Sequence, residues 1–230
     1  MNLPNAITSA RIAVAPLIAL LPMMSSPGWR LAAFVLYIVA AVTDYWDGHL
    51  ARTRNLVTNL GRLLDPLADK LLLVATFIPM YLLQGARAGW EPLGGLAGDA
   101  AFAFVTPLGR VGLPWWVAAV VVGREAFMTG FRQLAARRGV IISAIGPAKW
   151  KTGFQSTWVG AAYFWFFALT LAEGRGWAGG AWTAFAYFNG IVGVVSMTAA
   201  VAMTVYSLGL YLQRYGGVFR ARDSRAAVRR

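Results

Sequence analysis

The sequence contains no cysteine and a single histidine, His49. Without thiols there is no disulfide framework, iron–sulfur cluster or thiolate metal site. One imidazole cannot build a zinc centre, so any metal held by this chain takes mainly oxygen ligands. Acids are scarce: nine Asp and Glu in 230 residues, against 21 Lys and Arg, for a formal net charge of +12. Charged residues make up only 13% of the chain, where soluble domains carry about 25%. Apolar residues fill the gap, at 58% of the total, and mean hydropathy is +0.57. A water-soluble fold of this size would expose large apolar patches and aggregate. The composition therefore predicts a polytopic membrane protein. The bases are not interleaved with a soluble surface, which argues against nucleic acid as a partner.

Six apolar runs, each about the length of a bilayer crossing, predict an all-α protein. They cover roughly residues 8–24, 30–53, 62–84, 114–137, 152–173 and 182–213. The first contains Arg11, Pro16 and Pro22 and is followed by no small-residue cleavage pattern, so it reads as a retained helix. Residues 1–7 are expected to lie along the membrane surface, and the over-long last run to tilt or project. The segments Gly28–Arg30, Gly85–Pro114 and Glu173–Ala181 hold few bases. Arg52, Arg54, Arg62, Lys70, Arg137, Arg138, Lys149, Lys151, Arg214 and the tail gather on the opposite face. The positive-inside rule then places both termini in the cytoplasm of a multi-pass plasma-membrane protein. Residues 1–213 form one transmembrane domain and 214–230 a basic cytoplasmic tail. The segment Gly85–Pro114 reads as an interfacial loop without chemistry. Gly190 and Gly193 are a weak sign of close helix packing.

Four of the nine acids fall between positions 44 and 69. Asp44, Asp47, Gly48 and Ala51 share one helical face near the end of the second run, followed by Arg52. Gly61, Asp65 and Asp69, spaced by four, form a stripe at the start of the third. The short turn Thr53–Leu60 makes the two helices antiparallel neighbours. Four carboxylates should thus converge just inside the cytoplasmic surface. They repel one another, and burial near a membrane is costly, so something positive must compensate. Oxygen-only ligands favour Mg²⁺ or Mn²⁺, and a pair of such ions suits phosphoryl chemistry. The bland alternative pairs these acids with Arg52, Arg54, Arg62 and Lys70 in a structural network. That requires neither this spacing nor two facing glycines, Gly48 and Gly61.

The stretch Asp44-Tyr-Trp-Asp47-Gly48-His-Leu-Ala51-Arg52, then Gly61, Asp65 and Asp69, resembles the signature of the CDP-alcohol phosphotransferases. It matches eight fixed positions over 26 residues. The resemblance implies a six-helix membrane enzyme, usually a homodimer, that transfers a substituted phosphate from a CDP-linked donor to an alcohol and releases CMP. It further implies that Asp44, Asp47 and Asp65 bind metal and that Asp69 contacts metal and serves as general base. Gly48, Ala51, Arg52 and Gly61 would line the nucleotide pocket. His49 falls at a variable position and reads as a bystander.

A second stretch concerns the acceptor. Arg124, Met128 and Arg132 recur every four residues on one stripe of the fourth helix, and Lys149 and Lys151 follow across the next turn. A buried arginine needs an anion, so Arg124, Arg132, Lys149 and Lys151 predict a pocket for a phosphate on the acceptor. Glu125 is expected to orient one of these arginines. Arg124-Glu125, Arg132 and Lys149-Trp-Lys151-Thr152-Gly-Phe-Gln155 resemble the phosphatidylglycerophosphate synthase branch of the family. So does Asn2-Leu3-Pro4-Asn5-Ala-Ile-Thr8-Ser-Ala-Arg11, which adds Asn5 and Thr8 to the donor pocket. Ala148 departs from the glycine usual before Lys-x-Lys-Thr. The expected substrates are CDP-diacylglycerol and glycerol 3-phosphate, with membrane lipids and a second copy of the chain as partners. Two alternatives remain: another acceptor (inositol phosphate, serine or phosphatidylglycerol), or a divalent-cation transporter using the same carboxylates.

Overall fold

Trp158, Val159, Ala162, Tyr163, Trp165 and Phe166 are all buried, and no residue of their helix from Trp158 to Ala172 is exposed. A helix that is apolar on every side belongs in the middle of a bundle. This is α5 (Gly146–Arg175), in a computed structural model that describes residues 3–53, 59–84, 102–143 and 146–217. Of these residues 84% are helical. The other helices are α1 (Leu3–Leu20), α2 (Pro27–Thr53), α3 (Asn59–Gln84), α4 (Trp115–Arg137) and α6 (Gly180–Tyr215). A hairpin of β1 (Phe104–Thr106) and β2 (Gly109–Val111) precedes α4, in the register Phe104↔Val111, Val105↔Arg110 and Thr106↔Gly109.

Helix α5 packs on α6 and α2, and α1 packs on α3 and α2. Aromatic edges and hydroxyls hold the centre. The Trp165 ring stacks on Trp182 with centroids 5.7 Å apart, and Trp158 meets Phe77 edge-on at 5.2 Å. Tyr163 donates its hydroxyl hydrogen to Ile18 O at 3.0 Å. A buried Tyr that keeps a partner for its O–H retains the full benefit of its ring.

All six predicted runs are helices, with shifted ends. Helix α1 is continuous from Leu3, so residues 3–7 are its first turn and not a separate surface segment. Lys149 and Lys151 lie across the turn as expected, in the first turns of α5, which begins at Gly146 and not near residue 152. Among the described residues, four segments are long and apolar enough to cross a membrane: Asn5–Met23, Pro27–Asp44, Leu64–Gln84 and Gly180–Tyr215. The apolar run of α4 is interrupted by Arg124, Glu125 and Arg132, and α5 opens with Lys149 and Lys151 and carries three threonines. Exposed tryptophans collect at both ends of the bundle. Trp29, Trp115, Trp116 and Trp177 lie at one end, Trp46 and Trp150 at the other, as in an interfacial aromatic belt.

The segment read as a plain loop holds the hairpin, and the hairpin enters the bundle. Phe104 is 1% exposed, and Trp165 Nε1 donates to Ala103 O at 3.2 Å. The hairpin lies on Gly190 and Gly193 of α6, so these glycines admit the chain's own β1 in place of another helix. Residues 85–101 of that segment lie outside the described residues. Nearby, Arg30 donates from Nε to Pro22 O at 3.1 Å and from Nη1 to Thr170 Oγ1, while its guanidinium lies 4.3 Å from the Phe102 ring centroid. A base expected in an outer loop is therefore a buried clasp joining the α1–α2 turn to α5.

Candidate functional site

The other end of the bundle gathers the chain's polar chemistry. Asn5, Thr8 and Arg11 repeat every three residues along α1, so they share one face, and all three are buried. That face looks onto the carboxylates of α2 and α3. Thr8 Oγ1 donates to Asp65 Oδ1 at 2.9 Å. Arg11 Nη1 donates to Asp44 Oδ1, and the same nitrogen lies 3.5 Å from Asp69 Oδ1. Three helices thus meet at one guanidinium. The Arg11 side chain is 4% exposed while those of Asp44 and Asp69 are 44% and 61% exposed. The arginine sits on the protein side of the cluster and the carboxylates open outward.

Of Asp47, Gly48, Ala51 and Arg52 the structure describes the backbone, which continues α2 through Thr53; their side chains, and that of His49, lie outside the described residues. Gly61 is buried in the first turns of α3. Asp44, Asp65 and Asp69 are brought to one end of the bundle as the spacing predicts. Among the described residues, however, no three acidic or imidazole side chains close on a point that would hold a metal ion. Asp44 and Asp69 turn to Arg11, and Asp65 turns to Thr8. The donor set still fits a hard divalent cation in its chemistry: all oxygen and anionic.

A basic cluster lies at the same end, where α4 finishes and α5 begins. Glu125 Oε1 accepts from Arg124 Nη1 at 2.9 Å and also from Lys151 Nζ. Glu125 thereby orients Arg124, as expected, and Lys151 as well. Arg124 Nη2 also donates to Ser207 Oγ of α6 at 3.2 Å. The Tyr211 ring, one turn further along α6, has Arg124 and Arg132 each 5.9 Å from its centroid. Arg124 and Lys151 are buried, whereas Arg132 is exposed. One carboxylate among three cations leaves a surplus of positive charge facing outward. Such a cluster is suited to a phosphate monoester. The Lys149 side chain lies outside the described residues.

Arg11, Ser207 and Tyr211 carry no role in the sequence reading. A periodicity of three linking Asn5, Thr8 and Arg11 was a usable signal, since an arginine inside an apolar run must face an anion. Ser207 and Tyr211 have no such mark, because a Ser or Tyr in an apolar helix is unremarkable until its neighbours are known.

A groove of about 460 Å³ runs between α2, α5 and α6. Tyr37, Ile38, Ala41 and Val42 wall it on α2, with Gly160 and Phe164 on α5. Its upper end lies within a turn of Asp44. A second, more enclosed apolar cavity of about 490 Å³, near Trp177 and Trp182, lies far from both clusters.

Comparison with known proteins matches residues 1–206 to the CDP-alcohol phosphatidyltransferase family. A CDP-diacylglycerol–glycerol-3-phosphate 3-phosphatidyltransferase of Bacillus subtilis (strain 168) is 36% identical over 166 residues, covering 67% of this chain and 72% of that protein. The protein of the same name from Rickettsia bellii (strain RML369-C) is 48% identical over 154 residues, covering 67% and 70%. A probable phosphatidylglycerophosphate synthase of Mycobacterium tuberculosis (strain ATCC 25618 / H37Rv) is 30% identical over 217 residues, covering 93% and 81%.

Proposed function

Because the chain belongs to the CDP-alcohol phosphatidyltransferase family, we propose that it transfers the phosphatidyl group of CDP-diacylglycerol to glycerol 3-phosphate. The products are phosphatidylglycerophosphate and CMP. The observation that carries this reading is the pairing, at one end of the bundle, of carboxylates on α2 and α3 with a basic cluster on α4 and α5. A donor pyrophosphate needs the first and a phosphate-bearing acceptor needs the second.

In this reading Asn5, Thr8, Gly48, Ala51, Arg52 and Gly61 hold the nucleotide. The acyl chains enter the groove beneath Asp44, beside Ala41 and Val42. Asp44, Asp47, Asp65 and Asp69 would hold a divalent cation, Mg²⁺ or Mn²⁺ and two of them in our reading, which when bound would supply neutralisation of the pyrophosphate charge. Arg124, Arg132, Lys149 and Lys151 take the acceptor phosphate, which aims the free hydroxyl at the donor phosphorus. Asp69, the most exposed of the described carboxylates that Arg11 reaches, takes the hydroxyl proton as the new P–O bond forms. The P–O bond to CMP breaks in the same displacement, and no covalent enzyme intermediate is needed.

The same reading gives six spans, with both termini and the site on the cytoplasmic side of the plasma membrane, and a homodimer. The basic tail would rest on anionic lipid. The test is direct. Purified protein is given labelled CDP-diacylglycerol, a divalent cation and one alcohol at a time, and the lipid product is resolved by thin-layer chromatography. Phosphatidylglycerophosphate formed only with glycerol 3-phosphate is expected. A lipid formed instead from inositol phosphate, serine or phosphatidylglycerol would reassign the acceptor. Cation uptake into proteoliposomes lacking CDP-lipid would point to transport.

A further inference from the structure

Two observations at the acid cluster have a common cause. The carboxylates of Asp44 and Asp69 share a single buried guanidinium nitrogen of Arg11, and among the described residues no three ligand side chains converge as a metal site requires. We infer that Arg11 is the resident counter-ion of the metal-free cluster, a positive charge with which a divalent cation must compete for Asp44 and Asp69. The inference rests on reading the carboxylates as metal ligands and adds what holds them when no metal is bound.

Arg11 lies inside the apolar span Asn5–Met23 and is 4% exposed, so its charge cannot be left without an anion. Its Nη1 carries two hydrogens, one for each carboxylate, at the end of a side chain one bond longer than that of lysine. Packing of α1 on both α2 and α3 fixes the guanidinium between the two acid-bearing helices. Without it, carboxylates from adjacent helices would repel across a partly dehydrated gap. With it, they are neutralised but drawn toward α1, away from a common point. A cation arriving from the open side must draw the same oxygens off the guanidinium. Arg11 therefore stabilises the empty site and weakens the filled one. A residue serving packing alone would do the first without the second.

The experiment uses the full chain in detergent micelles, with Mn²⁺ as probe. Free Mn²⁺ is read by its electron paramagnetic resonance signal, and thermal unfolding is followed in EDTA and in saturating Mn²⁺. Arg11→Gln removes the competing charge, so Mn²⁺ should bind roughly tenfold tighter. The variant should unfold earlier than the parent in EDTA, and the gain in unfolding temperature on adding Mn²⁺ should widen. Arg11→Lys keeps the charge but stops one bond short of the Nη1 position and holds the carboxylates less closely, so its Mn²⁺ affinity should fall between the two. A folded Arg11→Gln protein that binds Mn²⁺ no tighter than the parent overturns the inference, as does an equal loss of stability with and without metal. If Arg11→Gln does not fold, an Arg11→Lys protein with parental or weaker Mn²⁺ affinity overturns it. A parent protein that binds no Mn²⁺ at all removes the metal reading itself, and the inference with it.

Discussion

The Phe104 ring lies against Gly193 of α6 so closely that a Cβ at that glycine would stand 2.4 Å from the ring. At Gly190 the clash would be with backbone, since a Cβ there would stand 1.9 Å from Val105 O. The neighbouring Ala103 carbonyl is itself held by Trp165, so the hairpin cannot retreat without losing a buried hydrogen bond. Gly193→Ala and Gly190→Ala should each destabilise the protein, by about 1–3 kcal/mol as for other overpacked sites. Gly160→Ala is the control. Its nearest atoms lie 3.8 and 3.9 Å away, ordinary contact distance, and alanine favours a helix by up to about 1 kcal/mol over glycine. Thermal unfolding in one detergent should separate the two glycines of α6 from Gly160; equal behaviour would mean that the hairpin does not sit in the bundle.

Asp69→Asn should abolish turnover while leaving metal-dependent binding of CDP-diacylglycerol measurable. The amide keeps the size and one oxygen but cannot accept the acceptor's proton. A loss of at least about 100-fold in kcat is the scale expected for removing a general base. Single-turnover assays alongside a CDP-lipid binding measurement check it. Substantial activity in this variant would show that the base is elsewhere.

Spacing alone was enough to group Asp44 with Asp47, and Asp65 with Asp69, because residues three and four apart on a helix must share a face. It was also enough to put Arg124 and Arg132 on one stripe. What it could not supply is the partner across a helix–helix contact. Arg11 meets Asp44 and Asp69 because α1 packs on α2 and α3, and nothing local to residue 11 encodes that packing. The hairpin was hidden for a similar reason. Each strand has only three residues, too short for an alternating pattern, and β1 is buried by glycines more than 80 positions away in sequence. The ends of α1 and α5 were missed because polar residues continue both helices past their apolar runs.

Arg132→Ala should raise the KM for glycerol 3-phosphate far more than that for CDP-diacylglycerol. Arg132 is exposed, unlike Arg124 and Lys151, which are already committed to Glu125. It is therefore the cation most available to an incoming phosphate. Losing one charge-assisted hydrogen bond costs about 1.5–3 kcal/mol, which is roughly a 10- to 100-fold rise in KM. Initial rates with one substrate varied and the other saturating give the answer. Equal changes in both KM values would argue against an acceptor phosphate at this end of α4.

Tyr211 contacts both Arg124 and Arg132, and its substitution should reach the acceptor without touching the acid cluster. The ring is fully buried, with Arg124 and Arg132 each 5.9 Å from its centroid, so it acts as a spacer that both cations favour through the ring's negative face. Tyr211→Phe keeps ring and spacing and should leave the KM for glycerol 3-phosphate within about twofold of the parent, since a ring–cation contact does not need the hydroxyl. Tyr211→Leu removes the π face, worth about 0.5–2 kcal/mol per cation, and leaves Arg124 to its existing bonds with Glu125 and Ser207. The acceptor KM should then rise several-fold, with kcat at saturating acceptor and Mn²⁺ affinity unchanged. Binding of Mn²⁺ is the decisive readout. If Tyr211→Leu weakens it as much as it weakens acceptor use, the substitution has disturbed the whole end of the bundle, and Tyr211 is packing and not a spacer for the phosphate-binding arginines.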